Sequence, residues 1–406
     1  MTIRSPIIAL LLALVTATGH AEGLSGSRFT VGAFGTLGAL YQNARGLAYR
    51  RSISQGHGAR AGEVDFGTDS LLGLQLAGRV TDDFDAQVQT VLRRNAAGVW
   101  RPELARAFLR YRPNPAVMVR AGRIGLGVYL LANTVDVGYS YLTIRPPAEV
   151  YGLLASEHFD GADVALSRQI GGGVGRIRVL GGHLPYQTAM PDGSVITFPN
   201  MKVVGMTADF LYRAWQTRAA LLAIHVPERA DPVATALART GFPQAMELAD
   251  ELNRSPQNTY AVEIGALYEG DPLQGALVLV HINSDYLQGP KSNSGFAQLG
   301  YRIAQLTPYL ALSMTENFAT ARRTGLPSLP VFEPLIAAAQ EDQTALQTTQ
   351  RDLSLGVRYD FAPHMDIKAQ IDRIWLHQSA LIFDYNVPPP GHTALTVFGL
   401  ALDFAF

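Results

Sequence analysis

Apolar and polar side chains alternate with a period of two through most of this chain. In Arg351–Phe361, Leu353, Leu355, Val357, Tyr359 and Phe361 share one parity. Asp352, Ser354, Gly356, Arg358 and Asp360 share the other. In Thr396–Phe406, Phe398, Leu400, Leu402, Phe404 and Phe406 oppose Gly399, Ala401, Asp403 and Ala405. Tyr260–Tyr268, Ala297–Ile303 and Arg101–Arg112 repeat the pattern; in the last, Ala105, Ala107, Leu109 and Tyr111 oppose Arg106, Arg110 and Arg112. Successive strand residues point to opposite faces. Each run therefore predicts a strand with one apolar face and one small or polar face, and tyrosines recur near the ends of the runs.

The connections fall into two classes. Short turn-type ones rich in Gly, Pro and Asp lie near 81–84, 113–115, 170–174, 212–215, 270–272, 305–308 and 362–365. Long ones lie near 43–63, 95–100, 124–157, 185–200, 228–258, 286–293, 319–349 and 379–392. They alternate strictly, so seven turns and eight loops join 16 strands. An even strand number with short turns at one rim and long loops at the other predicts an all-β fold: a transmembrane antiparallel β-barrel of about 16 strands. Both termini then lie at the turn rim. A barrel of this size leaves an aqueous channel. Pro243–Leu252 and Pro334–Leu346 predict short helices in the long loops, each opened by a proline.

Composition narrows the class. Arg4, the apolar run Ile7–Val15 and Gly19-His20-Ala21 form a secretory signal pattern, with cleavage expected after Ala21 and one barrel over 22–406. No later run is long and apolar enough for a helical span. The chain has no cysteine, which removes disulfides and thiol chemistry. A net charge of −1 gives no bias toward nucleic acid. Lys202, Lys291 and Lys368 are the lysines among 33 basic residues. Arginine suits paired, partly desolvated positions. A soluble secreted all-β protein is the reading that the aromatic-edged apolar faces argue against.

The connection at 124–157, inside the stretch Val119–Leu154, is too long and too apolar for an ordinary exposed loop. It carries Val128, Tyr129, Leu130, Leu131, Tyr139, Tyr141 and Tyr151, the charges Asp136, Arg145 and Glu149, and the rigid pair Pro146-Pro147. It is expected to fold into the lumen and narrow it. Gly122-Arg123 at the strand end, RPPAEVYG closing the loop, the following FDGADV, the run LGVRYDFAPHMDIKAQIDRI and the terminal Phe together resemble the outer-membrane porins of Gram-negative bacteria. The resemblance implies an inward third loop facing wall arginines, residence in the bacterial outer membrane, and often a homotrimer. A PEFG-like loop motif is missing, and the second loop is short.

Parity places Arg93, Arg106, Arg110, Arg120, Arg176 and Arg178 on the inner wall, with Arg123 at a strand end. Asp136, Arg145 and Glu149 come from the loop. Arginine patches favour anions, so the expected function is passive diffusion of small hydrophilic solutes or ions with mild anion preference. No cofactor is required, and the partners are solutes, outer-membrane lipid and, as the resemblance implies, two further copies of the chain. Tyr139, Tyr141 and Tyr151 are expected to pack the loop onto the wall. Glu157, His158, Asp160 and Asp163 lack the spacing of a metal site. The alternative is a barrel hydrolase using His183, His225, His281 or His377. The small residues Gly32, Ala33, Gly35, Gly38 and Ala39 of the first strand would suit close contact between barrels.

Overall fold

The computed structural model describes residues 28–154, 156–190, 193–227, 231–253, 257–382 and 393–406. The expected signal segment lies outside them. Sixteen antiparallel strands close into one barrel. They are β1 (Phe29–Gln42), β2 (Leu71–Arg79), β3 (Phe84–Arg94), β4 (Trp100–Asn114), β5 (Val117–Gly125), β6 (His158–Ile170), β7 (Gly173–Ala189) and β8 (Val195–Tyr212). The second half comprises β9 (Trp215–Val226), β10 (Gln257–Glu269), β11 (Leu273–Ser284), β12 (Ser292–Tyr301), β13 (Leu306–Asn317), β14 (Thr349–Ala362), β15 (Met365–Gln378) and β16 (Thr393–Ala405). Each pairs with the next, and β1 closes on β16 from Phe34↔Ala405 to Gln42↔Val397. The two-residue strand Val64–Asp65 adds to β1 above β2.

The period-two pattern becomes an inside and an outside. Outward positions form an apolar band that includes Val179, Val204, Leu221 and Ile264, all exposed. At the turn rim, aromatic pairs bound the band: Phe84 on Tyr111 (4.5 Å between ring centroids) and Trp215 on Tyr268 (4.7 Å). At the loop rim, the outward parity turns polar in one row across four strands, where His183 pairs with Lys202, Lys202 with His225 and His225 with Asn258. Lys202 and Tyr212 on β8 are ten residues apart. With strands tilted by about 40° this spans roughly 25 Å, the height of a lipid-facing band. Arg373, oddly placed on the apolar parity, lies over Trp375 (6.0 Å) and donates to Thr396 Oγ1 (2.8 Å).

The turns and loops fall where expected, with one correction. The segment 185–200 is not an open loop: β7 runs to Ala189 and β8 begins at Val195, forming a tall hairpin. Pro185 sits at a register shift between Leu184 and Tyr186, where a missing N–H interrupts no ladder bond. Above it pairing resumes at Tyr186↔Phe198 and runs to Ala189↔Val195. Helices α2 (Pro232–Arg239), α3 (Pro243–Leu252) and α4 (Glu333–Thr344) pack through Leu237, Leu248, Leu252 and Ala339 into a small core at the loop rim. The helix α2 was not expected; Asp231 caps it, accepting from the backbone N–H of Val233 (2.7 Å) and Ala234 (3.0 Å).

Candidate pore constriction

The described residues between β5 and β6, 126–154 and 156–157, fold into the lumen and carry the one-turn helix α1 (Ala148–Tyr151). This third long loop is fastened on several sides. On the β7–β12 wall, Val128, Tyr129, Leu130 and Leu131 are buried in one apolar cluster with Leu180, Leu222, Val278 and Phe296. The loop backbone must still find partners. Arg218 donates to the carbonyls of Gly127 and Tyr129 (both 3.0 Å), and Arg178 donates to that of Leu126 (3.2 Å). The Leu130 N–H donates to Glu263 (2.9 Å).

The opposite attachment is an acidic wall. Lys368 donates to the carbonyl of Gly138 (2.7 Å), and Arg358 to that of Tyr139 (2.9 Å). The same two cations lie over the rings of Tyr141 (5.0 Å) and Tyr139 (4.6 Å). Gly138 is required here: a Cβ would stand 2.0 Å from an Asp403 carboxylate oxygen and 2.5 Å from the Thr36 hydroxyl. Farther on, Arg145 holds Asp69 (2.8 Å) and Asp372 (3.0 Å), and Glu149 accepts from Ser313 and Gln350 (2.7 Å each). The region gathers Asp69, Glu149, Asp352, Asp360, Asp366, Asp372 and Asp403 around Arg145, Arg358 and Lys368.

On the β3–β8 side the lumen stays open. A cavity of about 180 Å³ on the turn side is lined by Arg106, Arg110, Arg120, Arg176, Arg178 and Arg218. On the loop side a cavity of about 430 Å³ is lined by Arg51, Arg93, Arg94 and Arg123, with Glu103 and Glu157. Between them Arg93 bridges Asp136 (3.0 Å) and Glu157 (2.7 Å), and Arg106 donates to the carbonyl of Asn133. Arg110 pairs with Asp85 (2.7 Å), Arg120 and Arg178 share Asp163 (2.6 and 2.7 Å), and Arg218 holds Asp209 (2.7 Å). Among the described residues Arg176 donates only to the Ser167 hydroxyl (3.1 Å). Six guanidiniums thus meet Asp85, Asp163 and Asp209, and the cavity carries a net positive charge.

The nine expected constriction residues therefore separate. Arg93, Arg106 and Asp136 meet at the narrowing. Arg110, Arg120 and Arg178 line the turn-side cavity, and Arg123 pairs with Asp160 (2.7 Å) at the edge of the loop-side cavity. Arg145 (4% exposed) and Glu149 (1%) are buried behind the loop, where they brace it against the acidic wall. Tyr151 packs on Phe296 (5.9 Å) and accepts from the Leu131 N–H (3.1 Å). Glu157, Asp160 and Asp163 are each taken by an arginine. Strand parity also places Arg218 on the inner wall, beside the arginines expected there. It shows Asp372 and Asp403 as inward residues but gives them no partner.

Burial raises the carboxyls of Asp136 and Glu149 above the ordinary range; Glu157 adds to the effect on Asp136, and Arg93 opposes it. The docked loop therefore holds protons more readily than a free one.

No family model matches the chain, and no curated protein matches it. Solved structures do. OmpF of Salmonella typhi, in complex with daunomycin, aligns with 94% of this chain and 98% of its own at TM-score 0.54 and 11% identity. An anion-selective porin from Comamonas acidovorans aligns over 93% and 99% at TM-score 0.52 and 10% identity. OmpT of Vibrio cholerae, in its trimer form, aligns over 94% and 100% at TM-score 0.50 and 12% identity. The chain has the fold of the sixteen-stranded outer-membrane porins.

Proposed function

We propose that the protein is an outer-membrane channel for passive diffusion of small hydrophilic solutes, with mild anion preference. The observation that carries this is the distribution of open space. What the loop leaves unfilled lies against the arginines, while the excess carboxylates are covered. A permeating anion meets Arg106 and Arg176, which among the described residues form no ion pair with a carboxylate. The field acts over distances comparable to the Debye length of about 8 Å at physiological salt, so it matters at the narrowing and fades in wider parts. Arg93, Arg106, Arg110, Arg120, Asp136 and Arg178 form the selective wall; Arg145 and Glu149 hold the loop in place, and Arg123, in register with Asp160 and His183 on the outward parity at the loop rim, stands apart from it. Residues 1–21 would direct export, and three copies would assemble through the face of β1 that carries Ala33, Gly35 and Ala39, the small residues on its outward parity.

The barrel-hydrolase alternative loses its candidates on geometry. His183, His225, His281 and His377 all stand on the outward parity of their strands, away from the lumen. Reversal potentials across a planar bilayer in a potassium chloride gradient test the proposal. Chloride preference is expected; clear potassium preference, or no current, would overturn it.

A further inference from the structure

Above the third loop, on the opposite side of Tyr186 from the arginine-lined mouth, lies a second cavity of about 90 Å³. Its walls include Tyr186, Phe198, Met201, Ile224 and Ile282. Tyr186 and Phe198 stack at 5.6 Å. The cavity lies at the edge of the apolar cluster that packs the third loop, with Tyr186, Met201 and Val226 as shared members, and here that cluster leaves space unfilled. Small-molecule sites have this composition: apolar walls with a few polar groups that fix orientation. Lys291 lines the same cavity, and among the described residues no carboxylate lies within ion-pair distance of its side chain. Tyr186 also lines the mouth that holds Arg51, Arg93 and Arg94.

We infer that this pocket binds an organic anion, seating a short branched alkyl group against Phe198, Met201, Ile224 and Ile282 with its carboxylate toward Lys291. Size sets the class. Cavities of about 150 Å³ accept a whole benzene ring, so this one suits a four- or five-carbon branched group. The arginine-lined mouth across Tyr186 would receive the released anion, and in that step the inference rests on the channel reading. The protein would then concentrate small amphipathic carboxylates at its outer mouth instead of only sieving by size.

The test uses the full barrel purified in detergent, with isovalerate, glycolate and isoamyl alcohol as probes in equilibrium titrations. Isovalerate is expected to bind at least tenfold more tightly than either of the others. Ile224→Asn should abolish its advantage over glycolate, and Lys291→Gln its advantage over the alcohol; circular dichroism establishes that both variants fold. Equal binding of isovalerate and glycolate, or an advantage that survives both substitutions, would overturn the inference. Bilayer recordings separate the two readings. Chloride-selective current without isovalerate preference removes the pocket and leaves the channel; isovalerate binding without current does the reverse.

Discussion

The two walls of the lumen carry opposite charge and meet opposite fates. On β3–β9 the arginines border open space, and Arg106 and Arg176 form no ion pair among the described residues. On β14–β16 the acids outnumber the bases, but the third loop lies on top of them and takes Arg358, Lys368 and Arg145 as anchors. Selectivity thus depends on where the loop lies as well as on which residues face inward. With the loop removed, a solute would pass between two walls of opposite sign. With the loop docked, it meets one.

The largest expected effect comes from detaching the loop on the acidic side. Arg145→Leu leaves Asp69 and Asp372 buried without their shared cation. Loss of one partner from such a pair costs about 3–5 kcal/mol. Single-channel recording should show larger, noisier conductance and a shift toward cation preference as the acidic wall is uncovered. An unchanged conductance would mean that the remaining anchors suffice.

An intermediate effect follows from recharging the open wall. Arg106→Glu combined with Arg176→Glu reverses the two guanidiniums that have no ion-pair partner among the described residues and makes the turn-side cavity net negative. Permeability should swing from chloride to potassium with little change in conductance, because neither residue fastens the loop to the acidic wall. Retained chloride preference would move the selective element elsewhere.

The smallest effect separates hydrogen bonding from charge behind the loop. Glu149→Gln can still accept from Gln350 and donate to Ser313, so stability should change by less than about 1 kcal/mol. Because burial raises the Glu149 carboxyl, the docked loop takes up protons. Docking is therefore favoured below the ordinary carboxylate pKa, about 4, and weakens as pH rises through the raised value. Limited proteolysis of the third loop should be slower at pH 5 than at pH 8, and Glu149→Gln should flatten that difference. The opposite pH trend would refute the assignment.

Strand parity made the barrel legible in the sequence because alternation reports directly which side chains face lipid. It placed the arginine wall for the same reason. The tall β7–β8 hairpin was hidden by Pro185, which marks a bulge rather than a loop. The acidic wall was hidden differently. Parity shows Asp372 and Asp403 pointing inward, but only the path of the third loop decides which inward residues are covered, and that path has no period. Its course depends on single fits, such as Gly138 against Asp403, that no local pattern announces.

The same attachment has a consequence for assembly. Lys368 and Gly138 are 230 residues apart in the chain, and Gln370 and Ile144 are 226 apart. The narrowing that follows the fifth strand therefore cannot be completed until the fifteenth is in place. Contacts this distant in sequence form late, after the cost of closing the intervening chain has been met. A partly built barrel would be a wider, less selective one, and the constriction is a mark that construction has finished.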